Sequence, residues 1–165
     1  MVPPPEGVDV IRVETASQML AAVEAALPAD AAVMAAAVAD WRVAAQSAEK
    51  IKKDGSGQPP ALHFVENPDI LARVALSPQA QSGALYCVGF AAESHDLLAH
   101  ATAKRARKGV PLLVGNIGPA TFGQDDNALL LVDAQGHREL PRASKRALAR
   151  QLVAEIALRL PVPRV

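Results

Sequence analysis

Ala31-Ala32-Val33-Met34-Ala35-Ala36-Ala37-Val38, running on into Ala39-Asp40-Trp41-Arg42, is the stretch whose reading decides the fold. An apolar run without polar alternation predicts a strand covered on both faces, the pattern of a parallel sheet under helices. Small side chains where the strand stops let a ligand approach the backbone, and a carboxylate at its tip, Asp40, can hold a cation.

Upstream, residues 8–13 alternate imperfectly and predict a short strand, while Thr15-Ala16-Ser17-Gln18 has capping-box spacing before a stripe of Met19, Leu20, Val23 and Leu27. Downstream, residues 46–60 are rich in Lys, Gly, Ser and Pro and predict a long loop. Residues 61–65 predict a short strand, and Asn67-Pro68-Asp69 predicts a helix start, with Asn as the cap and Pro in the first position. A third apolar strand, 85–90, leads into a helix that ends at Lys108 before Gly109. Residues 110–114 and 128–132 predict further strands, and Leu148, Leu152, Val153, Ile156 and Leu160 form the stripe of a last helix from Ser144. The alternation predicts an α/β fold: a Rossmann-like, doubly wound, mostly parallel sheet with helices on both faces, and residues 1–165 as a single domain.

Seventeen basic and seventeen acidic residues cancel, which argues against a nucleic-acid partner. No apolar stretch approaches a membrane span, and the start Met1-Val2-Pro3-Pro4-Pro5-Glu6 is unlike a signal peptide, so a cytoplasmic location is expected. The single cysteine, Cys87, sits within an apolar strand and predicts an inert buried thiol.

Ligands of such sheets sit beyond the carboxyl ends of the strands. Three ends suit that here: residues 37–40, Gly89-Phe90-Ala91-Ala92-Glu93, and Gly115-Asn116. Gly89 and Gly115 fit either a close ligand approach or tight packing. Lys104 and Lys108, four apart, share a helical face and fit either a phosphate wall or the complement of the helix dipole. Glu49-Lys50-Ile51-Lys52-Lys53 is a cationic run suited to phosphates. His63, His95, His100 and His137 show no metal-ligand spacing, and no Walker A, G-x-S-x-G or G-x-G-x-x-G motif is present.

The segments 35–42, 49–53, Asn67-Pro68-Asp69-Ile70, Val88-Gly89-Phe90-Ala91-Ala92-Glu93, Lys104-Arg105-Ala106-Arg107-Lys108 and Asp125-Asp126-Asn127, in this order and spacing, resemble one family. It is the synthetase part of the bacterial bifunctional phosphopantothenoylcysteine decarboxylase/phosphopantothenate-cysteine ligase of coenzyme A biosynthesis. The resemblance implies a CTP-dependent, Mg2+-requiring ligase and a homodimer. The carboxylate of 4'-phosphopantothenate attacks the α-phosphate of CTP, and the amine of cysteine then displaces CMP from the acyl-cytidylate. It further implies that Lys50 and Asp40 are catalytic, Asp40 lying near the metal. Met34, Ala35 and Ala36 would contact the nucleotide through their backbones, Pro68, Asp69, Ile70 and Leu71 would line its pocket, Phe90 would pack on it, and Lys104 and Lys108 would complete the cationic wall.

Two departures qualify the match. No Gly-rich turn and no Asn-x-Ser-Ser-Gly-Lys-like motif precede Val8, so the residues correspond to the C-terminal portion of the family domain, N-terminally truncated. The decarboxylase domain expected upstream in the full-length protein is not represented, and no FMN site is expected on this chain. A non-catalytic fragment that keeps only the fold and a partner surface is the alternative reading. A nicotinamide oxidoreductase is disfavoured by the missing glycine fingerprint.

Overall fold

The computed structural model describes residues 6–45, 55, 57–117 and 123–160. The chain divides into two compact units, Met1–Ala25 with Ala37–Asp69, and Ala26–Ala36 with Ile70–Val165.

In the first unit, α1 (Ala16–Ala25) starts on the capping box that the sequence predicts. The Thr15 hydroxyl accepts from Gln18 N at 3.1 Å, and the Gln18 side-chain carbonyl accepts from Thr15 N at 3.0 Å. Residues 8–13 are a correction: they form no strand, and Val8, Val10 and Ile11 are each more than half exposed. Alternation gives a strand only where a neighbouring strand completes the ladder, and none does so among the described residues. The strand predicted over 61–65 is β3 (Phe64–Glu66), antiparallel to β2 (Trp41–Val43). Trp41 lies opposite Glu66 and Val43 opposite Phe64, which places Trp41 and Phe64 on one face, both about 60% exposed.

The second unit holds a five-stranded mixed sheet in the order β1-β4-β5-β6-β7. Its strands are β1 (Ala31–Met34), β4 (Tyr86–Glu93), β5 (Leu112–Ile117), β6 (Asp126–Val132) and β7 (His137–Ser144). The β1–β4 and β4–β5 pairs are parallel, and β6 is antiparallel to both β5 and β7, so four strands run one way and β6 the other. The fold is α/β as expected. The opening apolar run makes a shorter strand than its length predicts, because only residues 31–34 find β4 and residues 35–40 are exposed. β7 escapes the pattern altogether: Leu140 is its only fully buried side chain, and Pro141 is tolerated on a strand that pairs with β6 alone among the described residues.

Helices cover both faces. On one face α4 (Leu97–Lys108) and α2 (Ile70–Ala75) pack over Gly89, Ala91, Leu113 and Gly115; Gly115 lies against Leu97 and Ala101. On the other, α5 (Lys145–Ala157) brings Leu148, Leu152 and Ile156 onto Val88, Leu112, Val114, Leu131 and Leu140. Each such fully buried side chain contributes about 1.5–3 kcal/mol relative to exposure. α4 stops as predicted at Gly109, whose φ of 65° lets its N–H close on Ala106 O. α5 starts at Ser144, whose hydroxyl accepts from Ala147 N. A short α3 (Pro78–Gln81), capped by Ser77, precedes β4.

Candidate functional site

β1, β4 and β5 are parallel, so their carboxyl ends lie at one edge of the sheet. Met34 pairs with Gly89, placing it beside Phe90 in the next register position, and Ala92 pairs with Asn116. Ala35 and Ala36 leave the strand exposed and with no bulk beyond Cβ. Phe90 is half-buried, packed by its inner side against the α5 core. Gly89 and Gly115 resolve in favour of packing. A Cβ on Gly89 would stand 2.6 Å from Leu71 Cδ2, and one on Gly115 would stand 2.9 Å from Leu97 Cδ1.

That contact also locates Leu71. Its side chain lies on Gly89, and Ile70 beside it is buried, so the start of α2 is pinned over the middle of β4, level with the end of β1. Lys104 lies midway along α4, where it lines a groove with Glu93, His100, Ala103 and Arg107. Lys108 is the last residue of α4, at the end where the chain turns back into β5, so the helix carries it away from the carboxyl edge.

The first unit holds Asp40, Pro68 and Asp69. Asn67 ties this segment together: its N–H donates to Asp40 O at 2.7 Å and its side-chain amide donates to Ala39 O at 2.8 Å. Arg42 donates to Glu66 O at 2.7 Å from the other side. This corrects the cap assignment, since Asn67 braces the Asp40 turn and α2 begins only at Ile70. Asp40 itself is exposed. Lys50, with the rest of its cationic run, lies outside the described residues.

The perturbed groups gather elsewhere. Arg159 donates to Glu155 at 2.6 Å and to Asp133 at 3.2 Å, and Arg138 also pairs with Glu155. Hydrogen bonding to Arg159 holds Glu155 below the usual carboxylate range. Burial pushes Asp133 upward, but the Gln135 and Gly136 amides with Arg159 outweigh it and the net shift is down. Burial raises the Tyr86 phenol and the Cys87 thiol, so Cys87 is the inert thiol that the sequence predicts. These groups belong to the opposite sheet edge, where β4 starts and β6 ends, and they brace α5.

Sequence reasoning missed Glu93 and His100 as partners and gave Arg107 no role. The i, i+4, i+7 spacing of His100, Lys104 and Arg107 was the available signal.

A five-stranded, mostly parallel sheet with helices on both faces and the carboxyl ends of β1, β4 and β5 at one edge defines an α/β domain of the doubly wound class. Residues 1–159 match the model of the DNA/pantothenate metabolism flavoprotein C-terminal domain, and the chain belongs to that family. The chain is 38% identical over 162 residues to the coenzyme A biosynthesis bifunctional protein CoaBC of Escherichia coli K12, covering 95% of this chain and 39% of that protein. It is 35% identical over 158 residues to the Vibrio vulnificus YJ016 protein of the same name, covering 93% and 39%. The chain thus spans about two fifths of the curated relatives it matches. Among solved structures, the C-terminal domain of a CoaBC superposes with a TM-score of 0.73 at 24% identity, covering 95% of this chain and 68% of that one. The DNA/pantothenate metabolism flavoprotein from Streptococcus pneumoniae gives 0.71 at 13%, covering 94% and 75%. Among the described residues, no helix is long and apolar enough to cross a membrane.

Proposed function

We propose that this chain carries the nucleotide-binding and dimer-forming portion of a CTP-dependent phosphopantothenate-cysteine ligase. The observation that carries the reading is the register of Met34 with Gly89 and its neighbour Phe90 at the carboxyl edge, in a chain of this family. In this reading the exposed Ala35 and Ala36 meet the nucleotide through their backbones, Phe90 packs on it, and Ile70 and Leu71 at the pinned start of α2 supply pocket wall. Lys50 and Lys104 meet phosphates, and Lys108, carried away from the carboxyl edge at the far end of α4, takes no part in this reading. The 4'-phosphopantothenate carboxylate attacks the α-phosphorus with loss of pyrophosphate, and the cysteine amine then forms the amide as CMP leaves.

Asp40 would hold Mg2+. Magnesium is commonly held by one or two carboxylates together with substrate phosphates and water. The ion would supply neutralisation of phosphate charge. The exposed Trp41 and Phe64 face of a two-stranded sheet, marginal by itself, supports a homodimer through β2 and β3.

Complete turnover draws on the whole ligase domain, and these residues span 68% of the solved CoaBC domain. That coverage favours one second reading, a segment that keeps the fold and partner surface without a competent site. Calorimetry with CTP and Mg2+ against ATP and NADH separates the readings. The proposal expects CTP to bind tightest, since a site that hydrogen-bonds one base edge leaves polar groups unpaired against another. Lys50→Ala should weaken CTP more than CMP. Equal affinity for CTP and ATP, or none for either, refutes it. Pyrophosphate release with the rest of the domain added then tests turnover.

A further inference from the structure

We propose that Asn67 and Arg42 are positioning residues for Asp40: they fix the backbone of residues 39–40 and so aim the carboxylate. That Asp40 meets a nucleotide-bound cation rests on the ligase reading. The hydrogen bonds that carry the inference lie within the first unit. The last pair of the β2–β3 ladder at this end is Trp41 with Glu66, and Asn67 N continues it one step, donating to Asp40 O at 2.7 Å. The Asn67 side chain reaches one residue further back and donates from Nδ2 to Ala39 O at 2.8 Å. Its Oδ1 accepts from Arg42 Nη1 at 3.3 Å, and the same Nη1 donates to Glu66 O at 2.7 Å.

Both ends of the Asn67 amide are committed, a donor to one carbonyl and an acceptor to one guanidinium, and only Asn carries the two at this length. The ladder itself does not need these side-chain bonds, because β2 and β3 pair through their own backbones. What the side chains add falls on residues 39 and 40. Residues 35–40 are exposed, so packing does little to hold them. Among the described residues no hydrogen bond reaches the Asp40 carboxylate, whose direction is therefore set by the backbone that carries it. A carboxylate aimed in advance has less freedom to lose when its ligand arrives, and affinity rises by the ordering cost that is removed.

The test is calorimetry of CTP binding to this chain, with Mg2+ and with EDTA, for the parent, Asn67→Ala, Asp40→Asn and the two combined. Asn67→Ala is expected to weaken CTP about tenfold with Mg2+ and less than about twofold with EDTA. In the Asp40→Asn background the same change should cost nothing further, because a residue that acts through Asp40 then has nothing left to aim. Thermal melts accompany each titration. Should Asn67→Ala melt too low to assay, Arg42→Gln, which leaves both Asn67 donors in place, should show the same Mg2+-confined loss at a smaller size. The inference is overturned if the loss is equal with Mg2+ and with EDTA, if it persists in the Asp40→Asn background, or if neither variant weakens CTP. A parent with no Mg2+-dependent CTP binding counts against the ligase reading, and the inference falls with it. A parent advantage that Asp40→Asn removes and Asn67→Ala keeps leaves the ligase reading standing and removes the inference alone.

Discussion

Gly89→Ala probes the joint between the fold and the site. The added methyl would stand 2.6 Å from Leu71 Cδ2 and 2.9 Å from Leu113 Cδ1. Neither distance is tolerable for carbon, so something must move. Leu71 is half-buried and can swing outward, but Leu113 is 0% exposed and closed in on all sides. Overpacking of this kind costs about 1–3 kcal/mol, which lowers the melting midpoint of a domain this size by roughly 3–8 °C. Because Leu71 belongs to the helix start proposed to line the nucleotide pocket, the same substitution should weaken CTP binding. Pairing it with Leu71→Ala in a double-mutant cycle isolates the contact. Each single variant loses stability, but the double should lose less than their sum, since the truncated side chain makes room for the new methyl. Thermal and urea melts of the four proteins give the coupling. Strict additivity, or a Gly89→Ala midpoint equal to the parent's, would refute the packing account of this glycine.

Three further outcomes are expected. Glu155 and Asp133 have folded pKa values below their ordinary 4.5 and 3.8, so the stability they contribute is complete above those values and is lost as pH falls through the lowered ones. Arg159→Met should therefore flatten the acid limb of a urea-melt series, and an unchanged limb would show that Arg159 is not the cause. Ser144→Ala removes the α5 cap and should cost about 1 kcal/mol by denaturant midpoint, with the slope unchanged. Trp41→Ser with Phe64→Ser should convert the proposed homodimer to monomer by light scattering, and a dimer that persists would place the interface elsewhere.

Where local chemistry dictates structure, the chain was readable. The Thr15 box, the Gly109 stop and the Ser144 cap each bring their own hydrogen-bonding partners within a few residues, and the structure realises them. Pairing between distant segments was harder to read. Residues 8–13 alternate like a strand and have no neighbouring strand among the described residues, whereas β7 has a neighbour and hardly alternates. The strand-end part of the site was legible because small residues and an aromatic beside Gly89 are sequence facts. The groove was not, because Glu93 and His100 become partners only when the 94–96 turn folds α4 back over β4. That turn includes Asp96 at φ 45°, a left-handed conformation that Asp adopts more readily than most residues but that no local motif specifies here.

The sheet is also unevenly secured. β6, β7 and α5 follow one another in the chain, and Arg159 fastens the last turn to Asp133 at the hairpin bend. β1 is only four residues long, pairs with β4 alone among the described residues, and its partners Ala31 and Tyr86 are far apart in sequence. Closing such a long loop comes late in folding, and a pairing of this kind opens first in the native state. The amides of Ala31–Met34 should accordingly exchange with solvent ahead of those in β6. A ligand seated where β1 ends would slow exactly that opening, making occupancy and the integrity of the sheet two readings of one equilibrium.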